Sequence, residues 1–95
     1  MLENVTVDSF EGRVGDRFDL DADGETHELT LDECKRLGSA ALEREPFSLV
    51  FLGPGEPILP QRTYPLSHEE LGRLEIFLVP IAQDADGTRY QAIFS

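Results

Sequence analysis

Asp19-Leu20-Asp21-Ala22-Asp23-Gly24 is the stretch whose residue types and spacing come nearest to a recognised chemistry. Carboxylates at positions 1, 3 and 5 with glycine at 6 form the first half of a calcium-binding loop. Alternate side chains there turn inward, and glycine permits the sharp bend. The loop also needs a bidentate glutamate at position 12, where this chain has Thr30. The flanking residues alternate apolar and polar, as strands do, and lack the period of paired helices. The stretch therefore reads as a hairpin turn at Asp23-Gly24 with solvated aspartates beside it. The tetrapeptide recurs as Asp84-Ala85-Asp86-Gly87, again between strand-like runs. Asp19, Asp21 and Asp23 remain an incomplete set of metal ligands, and neither a metal nor another cofactor is expected.

Nucleophilic chemistry has thin support. Cys34 is followed by Lys35 and Arg36, whose charges would favour a thiolate. It nevertheless stands at a strand end in a period-two pattern, where a small half-buried residue is ordinary. His27 has core-facing parity, and His68 lies in Ser67-His68-Glu69-Glu70-Leu71-Gly72, where capping a turn is its plain role. One cysteine and two scattered histidines do not make a zinc site. The neighbouring pairs Glu69-Glu70 and Glu43 with Glu45 lack a cleft that would separate their pKa values, as acid–base work requires. Gly53-Pro54-Gly55 is followed by no lysine-serine pair and no helix, so it reads as a turn and not a phosphate cradle. No catalytic residue is assigned, and the chain is read as a non-enzyme.

Composition narrows the partners. The 95 residues fit one domain spanning 1–95, with one cysteine and a net charge of −11. That charge opposes nucleic-acid binding, which needs a basic face to release counterions, and docking to anionic lipid. Residues 1–45 hold 13 acidic and 5 basic side chains, against 6 and 3 in the rest. No apolar run is long enough for a membrane helix, and Met1-Leu2-Glu3-Asn4-Val5 lacks the basic and apolar regions of a secretory signal. With the lone cysteine, this predicts a cytoplasmic protein.

The elements that would position these residues are mostly strands. Thr6 can cap a short helix ending before Gly12, with Val7, Phe10 and Val14 on one apolar face that plugs a sheet or barrel. Phe18 and Leu20 alternate with Arg17, Asp19 and Asp21. After the Asp23-Gly24 turn, His27, Leu29 and Leu31 alternate with Glu28, Thr30 and Asp32. Residues 37–45 read as a loop or one loose helical turn. Phe47 to Leu52 is apolar on both faces, as a central strand is. Thr63-Tyr64-Pro65-Leu66 is extended, and Pro65 places it at an edge or bulge. Leu74 to Val79 and Arg89 to Phe94 complete about six strands joined largely by short turns. The expected fold is mainly β: a small antiparallel barrel or two-sheet sandwich with a short N-terminal helix. Leu49, Phe51, Leu74, Ile76, Leu78, Tyr90 and Phe94 are the expected core, with Val50, Leu52, Phe77 and Val79 on the opposite faces.

A combination of motifs in the second half carries a resemblance. Phe47-Ser48-Leu49-Val50-Phe51 leads to Gly53-Pro54, then Leu59-Pro60-Gln61 and Thr63-Tyr64-Pro65-Leu66-Ser67-His68. Leu71-Gly72 precedes Phe77-Leu78-Val79-Pro80-Ile81, and Gly87 precedes Tyr90-Gln91-Ala92-Ile93-Phe94. This order resembles a family of small bacterial domains of unknown function, often encoded near proteins with the phage tail collar domain. The resemblance implies an accessory role beside a tail-like or fibre-like assembly, with a collar-domain protein as partner and a tail-like particle as the final location. Most residues that carry it set turns or fill a core. Gln61, Tyr64 and His68 are the polar exceptions: they would either line a contact surface or satisfy buried backbone groups. The expected function is a non-catalytic interaction protein that presents a sheet edge or apolar face. Its expected interface is Gln61, Tyr64, Pro65, His68, Phe77 and Val79. The acidic first half would oppose self-association and select a basic partner, with a homo-oligomer kept open as an alternative. The alternatives are a small-ligand or calcium-binding module, a small hydrolase using Cys34 or a histidine, and an acidic mimic of DNA.

Overall fold

The computed structural model describes residues 7–38 and 46–94. Helix α1 spans Val7–Glu11, followed by strands β1 (Arg17–Ala22), β2 (Glu25–Arg36), β3 (Phe47–Gly53), β4 (Arg62–His68), β5 (Gly72–Asp84) and β6 (Gly87–Phe94). All pairings are antiparallel, and the strands close into a barrel in the order β1-β2-β3-β6-β5-β4. Of the two expected architectures, the barrel is therefore the one adopted. Among the described residues no helix is long and apolar enough to cross a membrane.

The barrel consists of two three-stranded meanders, β1-β2-β3 and β4-β5-β6, joined through β3–β6 and β1–β4. The middle strand of each meander is long and turns the corner between two neighbours. The first half of β2 pairs with β1 from Glu25 to Thr30, and its second half pairs with β3 from Thr30 to Arg36. Likewise β5 pairs with β4 from Gly72 to Leu78 and with β6 from Val79 to Asp84. Each corner carries a bulge, at Leu31/Glu33 and at Pro80/Ala82. A bulge adds a residue to one strand, bends it and resets which face the following side chains occupy. Alternation read from the sequence consequently stops near Asp32 and Val79, whereas the strands continue to Arg36 and Asp84.

Each strand sends apolar side chains inward: Phe18 and Leu20 from β1, Leu29 and Leu31 from β2, Leu49 and Phe51 from β3. The second meander contributes Tyr64, Leu66, Ile76, Leu78, Tyr90 and Ala92. Side chains fill the interior, as in small barrels generally. Six of the seven expected core residues are buried, and Phe94 is half-buried against the same cluster. On β3 both faces are covered, with Ser48 and Val50 buried on the outer side, as its unbroken apolar run predicts.

Helix α1 closes one mouth of the barrel. Phe10 is wholly buried, and its ring lies 5.8–6.3 Å from those of Phe18, Phe47 and Phe94. Burying one such ring is worth about 1.5–3 kcal/mol, more than a five-residue helix could supply by itself. Arg36 fixes the helix from outside through ion pairs to Glu11 at 2.7 Å and Asp8 at 3.0 Å. Val14 departs from expectation. The helix ends at Glu11, so Val14 lies in the following turn, half in solvent, and not on the plugging face. Thr6, the expected cap, lies outside the described residues.

Candidate functional site

His68, at the end of β4, has both ring nitrogens committed. Nδ1 accepts the backbone N–H groups of Glu70 and Leu71 at 3.0 and 3.1 Å. An imidazole nitrogen that accepts two N–H bonds carries no hydrogen, so the proton sits on Nε2. Nε2 then donates to Asp16 Oδ2 at 2.9 Å. The His68 side chain is only 4% exposed, and its ring lies 4.6 Å from that of Phe18. The histidine thus caps the β4–β5 turn, the plain role read from its sequence position. With the acceptor nitrogen turned into that turn, none is left to take a proton from a substrate. Asp16, Arg17, Asp19, Ser67, Glu69 and Glu70 surround it in an open depression of about 500 Å³. Glu70 pairs with Arg13 at 3.1 Å.

Tyr64 and Tyr90 face into the barrel and hold the segment before β4. Tyr64 donates its hydroxyl to Pro60 O at 2.5 Å, and Tyr90 accepts the Leu59 N–H at 3.0 Å. Burial pushes the Tyr64 phenol above its ordinary pKa. Tyr64 and His68 therefore satisfy backbone groups, the structural one of the two roles expected for them, and neither presents a contact surface. Gln61 is exposed just before β4, and Pro65 is half-buried opposite Glu75. The expected edge at Thr63-Tyr64-Pro65-Leu66 is paired with β5 along its whole length. On its other side the register with β1 covers Leu66 and Ser67 and stops one residue short of Pro65, which has no N–H to offer. Arg62 leans across that seam to Asp23 at 3.8 Å and lies over the Tyr64 ring at 4.7 Å.

The remaining candidates are dispersed. The carboxylates of the Asp19-Asp21-Asp23 series turn to different partners: Arg17 at 2.8 Å, the Thr26 hydroxyl at 3.0 Å, and Arg62. Asp23 and Gly24, both at positive φ, form the β1–β2 hairpin, as the sequence reading has it. Cys34 and His27 lie seven residues apart on β2, about 20 Å along a strand. Burial, and then Glu11, raise the Cys34 pKa, and Arg36 offsets them only in part, so the thiol is not the activated one its basic neighbours suggested. Gly55 O accepts from Gln83 Nε2 at 2.5 Å and from Thr88 Oγ1 at 3.3 Å. A loop that aims a carbonyl at its neighbours is no cradle for an anion. Glu43 and Glu45 lie outside the described residues.

Gly53 and Gly87, two positions in the family-like pattern, turn out to touch. A Cβ on Gly87 would stand 2.1 Å from the Gly53 carbonyl oxygen, and one on Gly53 would meet the Leu29 side chain at 2.6 Å. Spacing in the sequence gives no hint of this contact, because 34 residues separate them and only barrel closure brings the strands together.

The outer surface of β5 is different in kind. Of eight aromatic side chains, Phe77 alone is exposed, at 50%. Val79, on the same face two residues on, is half-buried, and Ile81 is 48% exposed at the bulge. Ile93 of β6, paired with Ser48 of β3 beyond the last β5–β6 pair at Val79↔Gln91, is also exposed, at 58%. Phe77 and Val79 are thus the two expected interface residues that combine outward orientation with apolar surface. Ile81 is an addition that alternation alone could not supply, since the bulge decides where it points.

Residues 5–94 match the model of a family described as Domain of unknown function (DUF6916), in keeping with the resemblance carried by the second half. No curated protein and no solved structure matches the chain.

Proposed function

We propose that this chain, which belongs to that family of unknown function, is a non-catalytic interaction module that docks a protein partner on the β5 ridge. The observation that carries the reading is Phe77, a large aromatic left half in solvent by a fold that buries or half-buries the other seven. Exposed aromatics within a small apolar patch are typical anchors of protein contacts. The chemistry of the rest of the molecule supports the same view. Side chains fill the barrel interior, His68 is committed to its turn, and the Cys34 thiol is held above its ordinary pKa.

The partner class implied by the family resemblance is a phage tail collar-domain or similar fibre protein, with this chain as an accessory. The acidic β1–β2 side would then steer a basic partner toward the complex, and the uncharged ridge would make the contact. Affinity capture from a host lysate, with wild type and Phe77→Glu compared side by side, tests the reading. Recovery of one stoichiometric protein by wild type and its loss with the variant is the expected result. Equal recovery by both baits, or none by either when both are folded, would reject the ridge as the docking surface.

A further inference from the structure

Away from the ridge, the bonds of His68 form a latch, and we infer that acid opens it: a second proton on the ring releases the β4–β5 turn while the ring keeps its hold on Asp16. In the neutral ring Nδ1 accepts the N–H groups of Glu70 and Leu71, and Nε2 donates to Asp16. The imidazolium carries a hydrogen on both nitrogens and accepts nothing. Its Nδ1–H would face two N–H donors with no acceptor among them. The Nε2 bond runs to a carboxylate, so the same proton strengthens it by adding charge. One arm of the network breaks as the other tightens, and that asymmetry separates a local switch from general acid unfolding.

The groups around the ring favour a positive charge there. Asp16 from the α1–β1 connection, Asp19 from β1, and Glu69 and Glu70 from the turn line the hollow beside it, together with Arg17. Arg17 is turned to Asp19 at 2.8 Å and Glu28 at 3.5 Å. Arg13 is turned to Glu70 at 3.1 Å. From β5 the residue opposite His68 is Gly72, which carries no charge, and on the inner side lies the Phe18 ring. Little else holds the turn closed. Glu69 and Glu70 are exposed, Leu71 is half-buried at the margin of the core, and Gly72 at φ +78° supplies a hinge. The Arg13–Glu70 pair leaves its carboxylate 68% exposed, and pairs so exposed hold little. The closed turn excludes a proton from Nδ1 and the open turn admits one. Each pH unit below the ordinary histidine range therefore shifts the balance toward the open turn about tenfold.

An NMR titration of the full chain between about pH 8 and pH 5, the span over which histidine ordinarily changes charge, reads the outcome. The signals followed are the His68 ring nitrogens and the backbone amides. Nδ1 should take up a proton, and the Glu70 and Leu71 amides should lose their hydrogen-bonded shifts and exchange protection at the same midpoint. The Leu66 and Leu74 amides, inside the ladders on either side, should hold theirs. His68→Asn keeps an acceptor at every pH and should leave the turn closed throughout. Asp16→Asn preserves an acceptor for Nε2 but removes the charge that rewards the imidazolium, and should move the opening to lower pH. An Nδ1 that stays bare over the whole range overturns the inference. So does a ring that takes the proton while the Glu70 and Leu71 amides stay unmoved, or a loss of protection at every strand together.

Discussion

Replacing Gly87 by alanine asks whether the two strands meet as closely as the barrel requires. Gly87 adopts φ +138°, a region open to glycine and strained for any L side chain, and its Cβ would lie 2.1 Å from the carbonyl oxygen of Gly53. Two costs add. Holding a non-glycine residue in such a conformation costs about 1–3 kcal/mol. Relieving an overlap against backbone, which cannot rotate away as a flexible side chain can, costs about 1–3 kcal/mol more. The expected loss is about 2–6 kcal/mol, a large share of the 5–15 kcal/mol typical of a whole domain. Urea unfolding followed by circular dichroism should show a lower midpoint at unchanged slope. The fall in Tm should exceed about 8 °C, at roughly 4–8 °C per kcal/mol in a domain of this size. Gly12→Ala is the internal control. A Cβ there meets nothing within 4 Å and φ is not positive, so the change should be neutral or stabilise by about 0.4–1 kcal/mol through the unfolded chain. A Gly87→Ala variant as stable as Gly12→Ala would refute the close approach and, with it, the registration of β3 on β6 at this end.

His68→Ala leaves two turn N–H groups without an acceptor and should destabilise by about 1–3 kcal/mol, whereas His68→Asn, whose carbonyl can replace Nδ1, should recover part of the loss; nitrogen NMR of the wild type should find the proton on Nε2. Tyr90→Phe strands the buried Leu59 N–H and should cost about 1–3 kcal/mol, with faster amide exchange at Leu59 as the local readout. Cys34, its pKa raised by burial, should react with iodoacetamide at pH 8 more slowly than a peptide thiol, and equal rates would argue against its burial. Tyr64 titrates above its ordinary value. The native state therefore holds its phenolic proton longer than the unfolded chain, and stability should fall as pH rises beyond about 10. A Tyr64→Phe variant should lose that component of the alkaline slope.

The sequence displays most of this fold because its strands are half-buried and their side chains alternate. Phe18 and Leu20, or Ile76 and Leu78, announce an inward face within a few residues. Legibility ends where geometry is no longer local. The second halves of β2 and β5 run through bulges that shift parity, so the strand beyond Glu33 and beyond Ala82 is not announced by the alternation that precedes it. The site residues divide along the same line. Tyr64 and His68 advertise polarity, and their type alone cannot say whether a hydroxyl or an imidazole faces a partner or the chain's own backbone. The bonds to Pro60 and to the Glu70 and Leu71 amides decide it. Phe77 was legible in direction from its alternation with Ile76 and Leu78, but its exposure is set by what barrel closure leaves uncovered.

The stacking of Phe94 on Phe47, with centroids 4.6 Å apart, and its contact with Phe10 bring the first helix and the last strand to the same mouth of the barrel. A body whose entry and exit share one rim behaves like a bead hung from a single knot. It can be spliced into an exposed loop of a host protein without prising that loop apart, and tension between the two tethers would bear on the aromatic plug together with the terminal Phe47↔Phe94 pair of the β3–β6 ladder. The same closeness makes the chain a candidate for rewiring: a short peptide joining the two ends, with a new opening cut at the Asp84–Gly87 turn, would preserve the barrel's strand order while changing which residues come first.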